Sequence, residues 1–127
     1  ISETNKKINL KPEEILSWSH PNIEDITRKI RENYDMKTTK VYGELMVDGT
    51  KTLNYKTSND KNLFVLSFGE KRILLSKSDK KTIFQIEDGD MLFFNNIYCR
   101  ENYFVIPKVE NLKEKTLIIF IETIDSF

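Results

Sequence analysis

The chain contains one histidine, His20, and one cysteine, Cys99, which are residue types suited to general-base and nucleophilic chemistry. One imidazole and one thiol are too few for a Cys/His zinc site, and a single cysteine excludes an internal disulfide. His20 directly precedes Pro21, as expected at a helix entrance. We therefore interpret His20 as a polar residue at a helix start and Cys99 as a buried structural residue.

Three carboxylates, Glu87, Asp88 and Asp90, flank Gly89 and could bind a divalent cation or exchange protons. The same pattern is typical of a tight turn, because Asp side chains accept hydrogen bonds from nearby backbone N–H groups and glycine tolerates unusual backbone angles. The spacing favours the turn.

The densest basic stretch could bind phosphate groups of a nucleic acid or an inositol lipid. If the strands on either side of residue 79 pair, its cations should gather at one hairpin. The alternative is a solvated surface in which lysines protect a sheet edge. The residues concerned are Lys71, Arg72, Lys77, Lys80 and Lys81.

The 127 residues carry 20 Lys+Arg and 20 Asp+Glu, so the formal net charge is zero. This balance argues against a strongly basic nucleic-acid clamp. No apolar run approaches the roughly 20 residues of a membrane-spanning helix. We expect a polar, loose N-terminal segment over residues 1–19 and one folded domain over residues 20–127. The single cysteine is compatible with an intracellular compartment, cytoplasmic or nuclear.

One helix is predicted between Asn22 and Tyr34. Its apolar positions include Ile23, Ile26 and Ile30, which lie on one helical face. Acidic residues near its start and basic residues further along complement the helix dipole.

After residue 37 the sequence reads as eight or nine short strands with turn signals every 8–12 residues. Asp48-Gly49, Gly69-Glu70 and Asp88-Gly89 are typical of hairpin turns, and Asn95-Asn96 indicates a further turn. This pattern predicts a mainly β (α+β) fold: an antiparallel jelly roll, or double-stranded β-helix, with the N-terminal helix packed on it.

The order of these segments resembles the AlkB-like branch of the 2-oxoglutarate- and iron(II)-dependent dioxygenases. The matching segments are Val47–Thr50, Val65–Arg72, Glu87–Phe94 and Asn102–Lys108. The resemblance implies a double-stranded β-helix core over residues 21–120.

The residues that this family uses for chemistry are replaced. Tyr55 and Thr57 stand where the resemblance places an iron-binding His-x-Asp, and Phe104 stands where it places the distal histidine. Lys115 and Ile121 stand where it places the arginines that bind 2-oxoglutarate. Such an iron site needs two imidazoles and a carboxylate. We therefore expect no cofactor, no metal and no catalytic residue in this chain. The former pocket is either filled by aromatic side chains as ordinary core packing or is a shallow aromatic-lined site that grips a protein segment or a base.

Three hypotheses follow. The chain is an inactive AlkB-like domain that binds or scaffolds a protein partner; or it binds nucleic acid or phospholipid through the basic hairpin; or it is an active nucleic-acid demethylase that takes ligands from a partner chain. The missing ligands favour the first hypothesis.

Overall fold

The structure, a computed structural model, describes residues 5–9 and 23–125, with backbone placement alone for residues 5–9. Trp18, His20 and Pro21 lie outside the described residues. The elements are β1 (Asn5–Asn9), α1 (Ile23–Tyr34), β2 (Met36–Met46), β3 (Leu53–Tyr55), β4 (Asn62–Gly69), β5 (Arg72–Lys77), β6 (Lys81–Ile86), β7 (Asp90–Phe94), α2 (Asn96–Glu101), β8 (Tyr103–Ile106) and β9 (Thr116–Asp125).

Two antiparallel sheets face each other. Strands β1, β7, β4, β9 and β2 form one sheet in that order, and β3, β8, β5 and β6 form the other. The predicted jelly roll with an N-terminal helix is confirmed. Residues 5–9 were expected to be loose, but they pair with β7 as an edge strand.

Successive side chains of each strand point to opposite sides, so the five-stranded sheet has an inner face toward the other sheet and an outer face. Val65, Phe94 and Phe120 point between the sheets, whereas Phe64 and Ile121 point outward and form a second cluster with α1. Ile26 and Ile30 of α1 are buried there, as the helical spacing predicted. No helix in the described part of the chain is long and apolar enough to cross a membrane.

Three of the predicted hairpins are wrong. Asp48-Gly49 leads from β2 to β3, Gly69-Glu70 from β4 to β5, and Asp88-Gly89 from β6 to β7, and each pair of strands lies in different sheets. The turn signals were real, since Asp48 Oδ1 accepts a hydrogen bond from Thr50 N at 2.9 Å and Gly69 and Gly89 have positive φ angles. A local turn reverses the chain without deciding which strand becomes the neighbour.

Asn95-Asn96 begins a short helix and is not a simple turn. The Asn95 side chain accepts a hydrogen bond from Tyr98 N at 3.0 Å, which caps α2 at its N-terminus. Cys99 on α2 is buried and packs into the interior cluster.

Candidate functional site

The clearest polar group inside the sandwich lies at one end, between β3 and β9. The Tyr55 hydroxyl donates a hydrogen bond to Glu122 Oε2, and Ser58 N donates to the same oxygen at 3.4 Å. Glu122 is only 1% exposed. We name Tyr55, Thr57, Cys99 and Glu122 the Glu122 cluster; all four are buried.

Burial shifts the pKa of two groups in this cluster, the Tyr55 phenol and the Cys99 thiol. Burial, followed by the hydrogen bond to Glu122, raises the pKa of the Tyr55 phenol, so this phenol stays a donor. Burial also raises the pKa of the Cys99 thiol to about 12. A thiol in this state is a poor nucleophile near neutral pH, which agrees with the structural interpretation of Cys99.

Aromatic rings fill the space next to the cluster. Tyr55 stacks on Phe120 with ring centroids 4.0 Å apart and planes nearly parallel. Phe94 contacts Phe104 at 4.7 Å and Tyr98 at 5.3 Å between centroids. Interior side chains at such distances leave little room for a small molecule between the sheets.

The positions identified from the dioxygenase resemblance separate into two groups. Tyr55, Thr57 and Phe104 are buried on the inner side, and Tyr55 pairs with Phe104 between β3 and β8. Ile121 points to the opposite face of its sheet and packs in the cluster under α1, while Lys115 is exposed in the loop before β9. The expectation that Ile121 and Lys115 belong to the same former pocket is therefore wrong.

The sequence analysis did not identify two residues that make hydrogen bonds at the Glu122 end of the sandwich, Glu122 and Lys56. Glu122 follows the apolar run Leu117–Ile121, and an isolated acid continuing a buried strand was the available signal. The Lys56 ammonium donates to the carbonyl oxygens of Cys99 and Asn102 at 2.7 and 2.9 Å. It thereby caps the C-terminal end of α2, a stabilising position for a cation.

The predicted basic hairpin is only partly assembled. Lys77 lies opposite Lys81 in the β5–β6 register, and Lys80 is exposed in the turn between them. Lys71 directly precedes the other end of β5, about 20 Å from Lys77 at the usual rise per residue of a strand. Arg72 is 2% exposed, so it cannot contact an external phosphate as expected.

Arg72 instead forms hydrogen bonds with two loops, the one that follows β2 and the one that follows β8. Its Nη1 donates to the carbonyl oxygen of Asp48 at 3.3 Å, and its Nη2 donates to that of Pro107 at 3.0 Å. Burial lowers the pKa of the Arg72 guanidinium.

The acidic residues near Gly89 serve the backbone, as the turn interpretation predicted. Asp88 Oδ1 accepts a hydrogen bond from Gly69 N at 2.7 Å, and Asp90 Oδ2 accepts one from Glu87 N at 2.8 Å. Among residues 23–125, no group of three His, Cys, Asp or Glu side chains is arranged to hold a metal ion.

A surface cavity of 370 Å³ lies at the other end of the sandwich, between residues 48–50 and 108–113. Its two walls are bonded to each other, because Gly49 N donates to Leu112 O at 2.9 Å and Val109 N donates to Gly49 O at 2.8 Å. The N–H and C=O groups of Gly49 therefore bond to the opposite loop and not to a molecule in the cavity.

The sequence matches no protein-family model and no curated protein. Solved structures are similar in fold. A double mutant of the sugar 3,4-ketoisomerase QdtA from Thermoanaerobacterium thermosaccharolyticum, in complex with TDP, matches with a TM-score of 0.60 and 13% identity over 96% of this chain and 81% of that chain.

Another QdtA structure from the same organism, also with TDP, matches with a TM-score of 0.52 and 12% identity over 68% of this chain. In that alignment the chain spans 59% of the length of QdtA. Similarity at this level of identity establishes the fold alone, an antiparallel jelly roll.

Proposed function

We propose that this chain is a non-catalytic jelly-roll domain that acts by binding or scaffolding a protein partner. The observation that carries the proposal is the filled interior, in which Tyr55 and Phe120 stack at 4.0 Å beside the buried Glu122. A jelly-roll enzyme needs an open space between the sheets with converging polar groups. Here the Tyr55 hydroxyl and Ser58 N both donate hydrogen bonds to the Glu122 carboxylate.

The donor chemistry supports the same proposal. The Glu122 cluster offers one carboxylate, one phenol, one thiol and one alcohol, whereas a non-haem iron centre uses two imidazoles and a carboxylate. Arg72, a buried guanidinium that could clamp a carboxylate, is committed to two backbone carbonyls. The domain in this proposal is a degenerate relative of a dioxygenase-type fold that has kept its core.

Calorimetric titration of the full chain tests this proposal. We expect no saturable binding of iron(II), 2-oxoglutarate or TDP at concentrations up to about 1 mM, because the space between the sheets is occupied by side chains. TDP is included because it is bound in the QdtA structures. Stoichiometric binding of iron(II) together with 2-oxoglutarate, or of TDP, with a Kd below about 100 μM would contradict the proposal.

A second candidate function, phosphate or nucleic-acid binding, has one observation in its favour. Lys77 and Lys81 lie directly opposite each other at the end of the β5–β6 hairpin, with Lys80 in the turn. Like charges in directly opposite positions destabilise a hairpin, so a bound polyanion would relieve their repulsion.

Replacing Lys77, Lys80 and Lys81 together by Ser tests this second function. If the turn binds phosphates, affinity for a single-stranded oligonucleotide should fall, and the slope of log K against log salt should shrink by about 2 units. The matched control replaces three exposed lysines at the other end of the sandwich, Lys108, Lys113 and Lys115, by Ser, which removes the same charge. Equal losses in the two triple variants would show charge attraction without a site.

A further inference from the structure

The outer edge of β2 carries no neighbouring strand among the described residues. Strand β2 is eleven residues long and pairs with β9 on one side only. A strand edge of this kind presents unpaired N–H and C=O groups to solvent and is a template for another strand.

Natural edge strands are usually protected, and β2 is protected in its first half alone. A register irregularity between Thr38 and Lys40 interrupts the ladder with β9, and Lys37 and Lys40 place charges there. The second half, Val41–Met46, contains no proline, lysine or bulge. We name Val41–Met46 the open edge.

Side chains on both faces of the open edge are exposed to solvent. On the outer face, Val41 is 39% and Leu45 is 53% exposed, and they lie beside Ile121 and Leu117 of β9. They continue the apolar surface that α1 covers over the central strands. On the inner face, the Tyr42 hydroxyl donates to Glu44 Oε1 at 2.6 Å.

Symmetry restricts how two such edges can pair. Residues directly opposite each other in an antiparallel ladder share a face, so a twofold axis perpendicular to the sheet must lie midway between the two copies of one residue. An axis at Gly43 places Val41 opposite Leu45 twice on the outer face. It also places Tyr42 opposite Glu44 twice on the inner face, which preserves a phenol–carboxylate pairing.

We propose that the open edge binds a second copy of this chain, by antiparallel pairing of the two β2 strands about Gly43 into one continuous sheet. This inference rests on the proposed binding function and names its partner.

The charges of the open edge favour a second copy over a charged partner. Glu44 is the one residue of Val41–Met46 that carries a charge at neutral pH, and Lys51 Nζ forms an ion pair with it at 2.6 Å. The formal net charge of the chain is zero, so two copies approach without long-range repulsion. The apolar pairs on the outer face and the phenol–carboxylate pairs on the inner face make the edge complementary to itself.

Sedimentation equilibrium of the full chain and three double variants tests the inference. The wild-type chain should be dimeric at about 100 μM. V41K/L45K and V41E/L45E should each raise the dimer Kd at least about tenfold, because like charges then face each other. V41K/L45E should remain dimeric, because the Gly43 register brings Lys opposite Glu at both outer-face pairs. An equimolar mixture of V41K/L45K with V41E/L45E should form heterodimers.

The matched control is I83K/I97K, which adds lysines at two other exposed apolar positions and should leave the dimer unchanged. V41K/L45E carries polar residues at the same sites as V41K/L45K, so a folding defect would affect both variants and would not mimic the expected pattern. A folded wild-type monomer at about 100 μM, or loss of the dimer in V41K/L45E, would overturn the inference. Neither result bears on the calorimetric titration, whose failure would contradict the non-catalytic function independently.

Discussion

Replacing Gly49 by Ala is expected to lower the free energy of unfolding by about 3 kcal/mol, a large share of the 5–15 kcal/mol typical of a domain. A Cβ at this position would lie 2.0 Å from the carbonyl oxygen of Val109 and 2.8 Å from Cβ of Leu112. Relief requires a backbone shift, because the nearest atom belongs to the main chain. That shift would disturb the hydrogen bonds that Gly49 makes with Leu112 and Val109.

Urea denaturation of G49A beside G43A measures this effect with a matched control. Gly43 lies in β2, and a Cβ there would meet one atom, Ile118 O, at an ordinary 3.9 Å. At protein concentrations well below the dimer Kd, where pairing about Gly43 does not contribute to stability, G43A should stay within about 0.5 kcal/mol of the wild type or be slightly more stable, since alanine loses less backbone entropy in a strand. Equal stabilities of the two variants would contradict the loop geometry at Gly49.

Replacing Arg72 by Ala is expected to destabilise the fold by about 3 kcal/mol. The substitution leaves the carbonyl oxygens of Asp48 and Pro107 without their donor and opens a cavity where a 2% exposed side chain was. Removal of the buried guanidinium offsets part of this loss, since Arg72 Nε has no hydrogen-bond partner among the described residues and a buried charge is costly. The stability of R72K should lie between those of the wild type and R72A, because an ammonium group lacks the planar fork of a guanidinium that reaches both carbonyl oxygens.

Arg100 provides the comparison for this substitution. Its side chain is 61% exposed and lies 3.9 Å from Asp60, so R100A should change stability by less than about 0.5 kcal/mol. Chemical denaturation of both variants checks the difference. An R72A chain that is as stable as R100A but has lost oligonucleotide affinity would restore the expectation that Arg72 contacts phosphate.

The elements of the fold were accessible from local patterns. The spacing of Ile23, Ile26 and Ile30 predicted α1, and runs such as Leu63–Phe68 predicted buried strands. These features depend on neighbours within a few residues, so the sequence alone carries them. The jelly-roll class followed from the number and spacing of strands.

The pairing of the strands could not be predicted from local sequence patterns. The sequence signals at Asp48-Gly49 and Gly69-Glu70 marked turns correctly but did not reveal that each turn leads into the other sheet. The deciding contacts are distant in sequence, such as Gly49 N with Leu112 O and Glu70 N with Lys115 O. Residues Asn62 to Phe68 of β4 are all buried, so alternation could not indicate which face meets which sheet.

By itself the sequence determined that one histidine and one cysteine cannot build a Cys/His zinc site or an iron centre with two imidazoles, and it predicted a helix followed by many short strands. Only the tertiary structure decided that Arg72 is buried, that Lys71 lies far from Lys80, and that Glu122 meets Tyr55 between the sheets. The physical reason is that burial and side-chain pairing depend on contacts between strands that are distant in sequence. Tyr55 and Glu122, for example, are 67 positions apart. A local sequence pattern does not indicate which distant strands come together.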